Sequence, residues 1–209
     1  MIEWIIFDVG AVLIEIDLEA PIRELVAKTG VNSDTLKGFF SESFKEGSNQ
    51  ISTHEMYQTG KLQTDEYLAS LKKLIGTEIT DERLKLALFL VLGTERVEML
   101  QLLASLKSNY KIGCFSNTTP LHWEGLKKYC KFFDQLDIEM TSFGLGEVKP
   151  KTEAYKRMLN KLNCDAASVV FIDDSERNVA SAKALGINAF QFTTKEKLIA
   201  DLSTIIQIP

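Results

Sequence analysis

The chain has 209 residues, 45% of them hydrophobic and 25% charged, with 24 basic against 29 acidic side chains and a formal net charge of −5. A chain of this length buries roughly 70% of its unfolded surface, enough for one substantial core and a smaller appended unit without disulfide or metal staples. The mild acidity and the lack of a dense Lys/Arg cluster argue against a nucleic-acid partner, and the longest apolar run, residues 86–92, is far shorter than a membrane span.

Taken in chain order, residues 3–7 form the first short apolar run bounded by polar residues and read as a buried strand. The stretch 16–93 follows with amphipathic helix patterns at 18–28, 33–44, 64–74 and 81–92, punctuated by Gly30, Gly47, Gly60 and Gly76, and with no convincing strand. From residue 94 strands and helices alternate. A helix at 96–107 carries Val97, Leu100, Leu103, Ala104 and Leu106 on one face; a strand at 111–115 leads to a helix opened by Pro120. Then come a strand at 136–140, a helix at 152–162, a strand at 169–172, a helix at 175–185 and a strand at 189–192. Alternation of this kind implies a parallel sheet covered on both faces, so the expected fold is a doubly wound, Rossmann-like α/β core of residues 1–15 and 94–209. Residues 16–93 are expected to form an all-helical domain inserted after the first strand. No repeat, linker or low-complexity tract interrupts this plan.

Ligands of open parallel sheets bind at the carboxyl ends of the strands, and four of the five runs end in reactive residues. Asp8 and Gly10 follow the first, Ser116, Asn117 and Thr118 the second, and Asp173 and Asp174 the fourth, while Lys149 lies in the loop beyond the third. Singly, each has a bland reading. Asp8 suits a turn, Ser116 or Thr118 could cap the helix after Pro120, Asp173 and Asp174 could cap the next helix, and Lys149 suits a solvated loop. Together, three carboxylates converging at one sheet edge would repel one another unless a cation sat among them or some were protonated. Hard oxygen donors with few imidazoles nearby suit Mg²⁺, and a hydroxyl and a lysine beside it suit a transferring phosphoryl group.

The runs Phe7-Asp8-Val9-Gly10-Ala11-Val12-Leu13, Cys114-Phe115-Ser116-Asn117-Thr118, Glu147-Val148-Lys149-Pro150-Lys151-Thr152 and Val170-Phe171-Ile172-Asp173-Asp174-Ser175 resemble, in order, the four motifs of the haloacid dehalogenase-like hydrolase superfamily. The resemblance covers nearly the whole chain, and the helical insertion sits where that superfamily carries its first type of cap. The motifs are most similar to the subgroup of sugar-phosphate phosphatases and of the N-terminal domain of soluble epoxide hydrolases. This implies a Mg²⁺-dependent phosphatase acting on a small phosphorylated metabolite of the sugar-phosphate type. Asp8 would be the nucleophile that forms an aspartyl-phosphate. Mg²⁺ would be held by Asp8, the Gly10 carbonyl and Asp174, with Asp173 ligating directly or through water. Ser116 and Asn117 would contact the phosphoryl group, Lys149 would neutralise developing charge, and Asn178 falls where relatives carry a supporting acid. Gly10 departs from the pattern, because many phosphatases of the superfamily place a general acid there.

Two other classes compete. A metal-free haloacid dehalogenase also uses an aspartate nucleophile, but it needs no acidic pair at the fourth motif and uses a cap arginine, whereas no arginine lies between Arg23 and Arg83. A phosphate-ligand or partner-binding protein that has lost turnover is the third. Elsewhere, His54 and His122 are too few for a histidine metal site, and His122 reads as a surface or helix-packing residue. Asp17 reads as a helix N-cap, and Phe39, Phe40 and Phe44 as core of the helical insertion. Cys114, Cys130 and Cys164 are odd in number and lack ligand spacing, so reduced thiols and a cytoplasmic location are expected. No leader and no membrane partner is expected, and the chain is expected to be a monomer or homodimer.

Overall fold

The computed structural model describes residues 1–41 and 51–209. Seven strands are present among them: β1 (Trp4–Phe7), β2 (Ile14–Ile16), β3 (Leu92–Glu95), β4 (Lys111–Ser116), β5 (Ile138–Thr141), β6 (Val169–Asp173) and β7 (Asn188–Gln191). The helices are α1 (Ala20–Thr29), α2 (Ser33–Phe40), α3 (Thr53–Gln58), α4 (Thr64–Ile75), α5 (Asp81–Phe89), α6 (Val97–Leu106), α7 (Pro120–Tyr129), α8 (Ser142–Leu145), α9 (Thr152–Leu162), α10 (Glu176–Ala184) and α11 (Lys195–Leu202). None of the described helices is long and apolar enough to cross a membrane.

Five strands form one all-parallel sheet in the order β5-β4-β1-β6-β7. β1 therefore lies at the centre, where the chain reverses its winding direction, and the ends of β1, β4 and β6 flank the resulting crevice. Alternation along β1 divides the core. Ile5 and Phe7 pack under α6, α7 and α11 with Leu103, Trp123 and Leu198, whereas Trp4 and Ile6 face α9 and α10 with Tyr155, Met158 and Val179. Both faces are covered, as a sheet of near-continuous apolar strands requires.

The helical insertion has its own apolar cluster, in which Leu25, Leu36, Tyr57, Leu71 and Leu84 are fully buried, and Leu121 of α7 joins it from the core. Its helices start and stop where side chains dictate. Asn32, Ser52 and Thr80 cap α2, α3 and α5, and Gly30 and Gly76 end α1 and α4 in the left-handed conformation.

The structure corrects the sequence reading at several points. The stretch 16–93 does contain strand, because β2 and β3 pair antiparallel with Ile14 opposite Glu95 and Ile16 opposite Leu92. These short runs carry little strand signal and pair only because the two crossings to the insertion run side by side. Gly93 permits the approach, since a β-carbon there would sit 2.8 Å from the Glu15 carbonyl oxygen. α5 accordingly stops at Phe89 rather than 92, and α3, α8 and α11 were not foreseen. The helix expected at 33–44 ends at Phe40 with Ser41 as its C-cap; Phe44 and Gly47 lie outside the described residues. The third strand starts at Ile138 because Asp137 is already bound to both the N–H and the carbonyl of Ile112.

Candidate active site

Asp8 immediately follows β1, and its backbone N–H still donates to the Ile172 carbonyl (2.7 Å), so the carboxylate is fixed by the sheet itself. Oδ1 accepts the Val9 N–H at 2.7 Å and faces the Lys149 ammonium at 3.0 Å, while Oδ2 has no hydrogen bond among the described residues. After Val9 the chain turns sharply: Leu13 and Ile14 both donate to the Val9 carbonyl, and Ala11 holds φ 58. That left-handed conformation costs a residue with a β-carbon roughly 1–2 kcal/mol, which the surrounding packing must offset.

Lys149 is 1% exposed, so the solvated-loop reading is wrong. Its Nζ donates to Asp173 Oδ2 (2.6 Å) and to the Phe115 carbonyl (2.8 Å) and contacts Asp8, which uses all three of its protons. The Phe115 and Phe171 rings flank it at 5.2 and 5.3 Å. Burial disfavours the ammonium, but Asp173 and Asp8 outweigh it and hold Lys149 above the ordinary lysine range. Asn117 aligns this residue from the side: its amide donates to the Lys149 carbonyl (2.8 Å) and accepts the Lys149 N–H (2.9 Å). The Asn117 side chain thus fixes the Lys149 backbone, and Asn117 also lines the space in front of it.

Asp173 is fully buried and also spent. Oδ2 takes Lys149, and Oδ1 accepts the Ser175 N–H and the Asn178 side-chain amide, each at 2.9 Å. Asp174 is exposed beside it. One oxygen from each of Asp8, Asp173 and Asp174 lies within 4.8 Å of the others. Burial, opposed by Lys149 and reinforced by Asp173, pushes Asp8 up to about 7; partial burial and the Asp173 charge raise Asp174 too. Three carboxylates gather round the buried Lys149 ammonium, and Arg177 lines the same cavity. A divalent cation with oxygen preference fits this donor set, to which Asp8, Asp173 and Asp174 each bring one oxygen, Asp174 being the exposed one of the three.

Two adjoining cavities open here. A polar one of about 280 Å³ is lined by Asp8, Asn117, Lys149, Asp174 and Asn178. The other, about 330 Å³, runs beneath the helical insertion and is reached by Gly10, Ser116 and Thr118. Asn117 and Leu18 line both. Ser116 ends β4, 5% exposed, with a hydroxyl that has no hydrogen bond among the described residues.

The helix-capping alternatives resolve differently from expectation. Thr119, not Ser116 or Thr118, caps α7 through the His122 N–H (3.2 Å), and Ser175, not Asp173 or Asp174, is the N-cap of α10. Asp17 accepts the N–H groups of Glu19 and Ala20 ahead of α1 and pairs with Arg23. The sequence reading missed the contribution of the insertion: His54, Gln58, Tyr67 and Phe40 line the larger cavity, as does His122 from α7. Phe39 packs on Tyr67 (5.4 Å), as a core residue would, but Phe40 faces the cavity. Six residues are too few for a periodicity, and the one local mark of α3 is the Ser52-x-x-Glu55 start signal.

The sequence profile of the haloacid dehalogenase-like hydrolases matches residues 2–186. D-ribitol-5-phosphate phosphatase of Bacteroides thetaiotaomicron is 28% identical over 203 residues, which span 91% of this chain and 92% of that one. A haloacid dehalogenase family enzyme of Bacteroides thetaiotaomicron, crystallised with magnesium and inorganic phosphate, superposes with a TM-score of 0.81 at 24% identity, covering 93% of this chain and 96% of that one. A predicted haloacid dehalogenase-like hydrolase of Porphyromonas gingivalis superposes with a TM-score of 0.82 at 23% identity over 100% of both chains.

Proposed function

The chain belongs to the haloacid dehalogenase-like hydrolase family, and from that premise we propose that it is a Mg²⁺-dependent phosphatase of a small phosphorylated metabolite, acting through an aspartyl-phosphate. The observation that carries this is the cluster at the strand ends, where three carboxylates surround one buried lysine and open onto a cavity. The phosphatase and the magnesium- and phosphate-bound enzyme among its relatives support the same chemistry.

Asp8 Oδ1 is anchored by Val9 and Lys149, which leaves Oδ2 to attack phosphorus. The new Oδ2–P bond forms as the ester P–O bond breaks, and the departing alcohol takes its proton from water, because Gly10 carries no acid. Water then cleaves the aspartyl-phosphate to free Asp8 and inorganic phosphate. Ser116 and the Asn117 backbone hold the phosphoryl oxygens, and Lys149 balances their charge. Asp8, Asp174 and the Gly10 carbonyl would hold Mg²⁺, whose charge completes that balance. Asp173 and Asn178 position Lys149 and do not ligate. Residues 16–93 serve as a cap over residues 1–15 and 94–209, with the paired β2 and β3 as the joint, and the unpaired thiols suit a cytoplasmic protein.

The test is a panel of phosphomonoesters with and without Mg²⁺, for the wild type and Asp8→Asn. Hydrolysis is expected only with the metal, falling at least about 10³-fold in Asp8→Asn with little change in stability, since the amide keeps the shape but is a poor nucleophile. Turnover retained within tenfold would rule out the covalent route. Metal-independent release of halide from a 2-halo acid would favour the dehalogenase class, and phosphate binding without turnover the binding protein.

A further inference from the structure

The cavity beneath the cap is closed largely by hydrocarbon. Ile22 and Leu88 face it from the cap, and Leu92 and Leu126 from below, with Phe40 at one side. The only charged lining residues among those described are Glu19 and Lys37, which pair with each other at 3.4 Å with side chains about half exposed. Among the described residues no unpaired charge faces the cavity to meet a charged leaving group.

The polar groups on the walls are mostly engaged already. His54 Nδ1 shares a hydrogen bond with the Tyr67 hydroxyl (2.9 Å), and His122 Nε2 donates to the Leu88 carbonyl (3.1 Å). Burial pushes both imidazoles down to about 4, so they stay neutral near pH 7. On the cap side Gln58 is different, as Ser116 is at the strand end. Gln58 is 7% exposed, and its Oε1 is buried with no hydrogen-bond partner among the described residues. A buried amide left unsatisfied in this way marks a place where a ligand atom completes the bonding, and a hydroxyl suits it whichever way the amide is turned, because it both donates and accepts. A polyol, by contrast, would bring several hydroxyls against aliphatic walls and leave most of them without the partners they had in water.

We propose that the leaving group of the substrate is an uncharged, mainly hydrocarbon alcohol bearing one further hydroxyl that binds Gln58. This rests on the phosphatase function proposed above and departs from the sugar-phosphate type expected from the sequence. At about 330 Å³ the cavity is at the small end of the range for ligand pockets, roughly 300–1,000 Å³. The overall reaction consumes one water and releases the diol and inorganic phosphate.

Three primary alkyl phosphates of similar leaving-group basicity provide the test with the Mg²⁺-loaded protein: cyclohexane-1,4-dimethanol monophosphate, cyclohexylmethyl phosphate and a pentitol 5-phosphate. The diol ester is expected to exceed the pentitol ester by roughly tenfold or more in kcat/KM, and to exceed the cyclohexylmethyl ester by a smaller factor. In Gln58→Leu and Gln58→Met the advantage of the diol ester over the cyclohexylmethyl ester should vanish. That ratio is taken within each variant, so partial loss of folded protein does not disturb it. Pentitol ester turned over as well as the diol ester, or an unchanged ratio in both variants, overturns the proposal. Calorimetric binding of the free diol against the free pentitol needs no turnover. If no ester is hydrolysed, the phosphatase function fails, and the same preference or its absence in binding still decides the nature of the cavity.

Discussion

Asp173 and Asp174 are neighbours in sequence with opposite situations. Asp173 has both oxygens committed to Lys149, Ser175 and Asn178, whereas Asp174 is exposed at the cavity. Asp173→Ala should therefore destabilise the fold by roughly 3–5 kcal/mol, because it strands a buried ammonium, while Asp174→Ala should leave stability near the wild type and raise the Mg²⁺ concentration needed for activity. Denaturant unfolding and Mg²⁺ titration of activity separate the two; matching effects in both measurements would refute the division of labour. Gly10 is the second telling residue. It does not lie in the left-handed region, and a β-carbon there would meet the Ile16 side chain at 3.6 Å (Cγ2) and 3.7 Å (Cδ1), ordinary contacts. Gly10→Asp is thus expected to fold and to raise turnover of esters with strongly basic leaving groups by up to about 10²-fold. Rates across esters of graded leaving-group basicity should be steeper for the wild type than for the variant, and equal slopes would count against a missing acid.

At the scale of elements, the cap is seated on the core by contacts that converge on α3 and on the β2–β3 pair. The Leu121 N–H donates to the Tyr57 hydroxyl (3.2 Å), and Lys151 binds both Glu55 and Glu147. A β-carbon on Gly60 would lie 2.9 Å from the Phe143 carbonyl oxygen, so α3 ends hard against α8. The β2–β3 pair is as tight at Gly93. Gly93→Ala must push Glu15 aside, with an expected loss of about 1–3 kcal/mol and a raised KM, because Ile16 and Leu92 both line the larger cavity. Thermal unfolding and steady-state kinetics check this; unchanged values in both would mean that the pair yields freely.

For the molecule as a whole, the seam between cap and core carries the acid sensitivity. His54 and His122 have their pKa pushed from 6.5 to about 4 by burial, so the unfolded chain binds more protons than the folded one between those values. Their contribution to stability is complete above pH 6.5 and is lost as the pH falls toward 4. Asp8 runs the other way: raised to about 7, it favours the folded state progressively as the pH drops from 7 toward 4. Comparing variants cancels that opposing effect. The fall in Tm between pH 6.5 and 4.5 is expected to be smaller in His54→Phe than in the wild type, and an identical fall would show that His54 does not remain neutral in the fold.

The order of the five sheet strands, the helices between them, the doubly wound core and the gathering of acidic and polar residues at the strand ends were legible in the sequence, because short apolar runs, helical periodicity and turn chemistry are local signals. Asp8, Ser116, Lys149 and Asp174 stand out for the same reason: each follows the element that delivers it. The burial of Lys149, the diversion of Asn117 and Asp173 to hold it, the pairing of β2 with β3 and the cavity-facing His54 and Gln58 were decided by tertiary structure. Each depends on residues far apart in the chain meeting at one point, 24 positions apart for Lys149 and Asp173 and 34 for His122 and Leu88. Such meetings are set by how the cap docks on the sheet, and no local pattern encodes that.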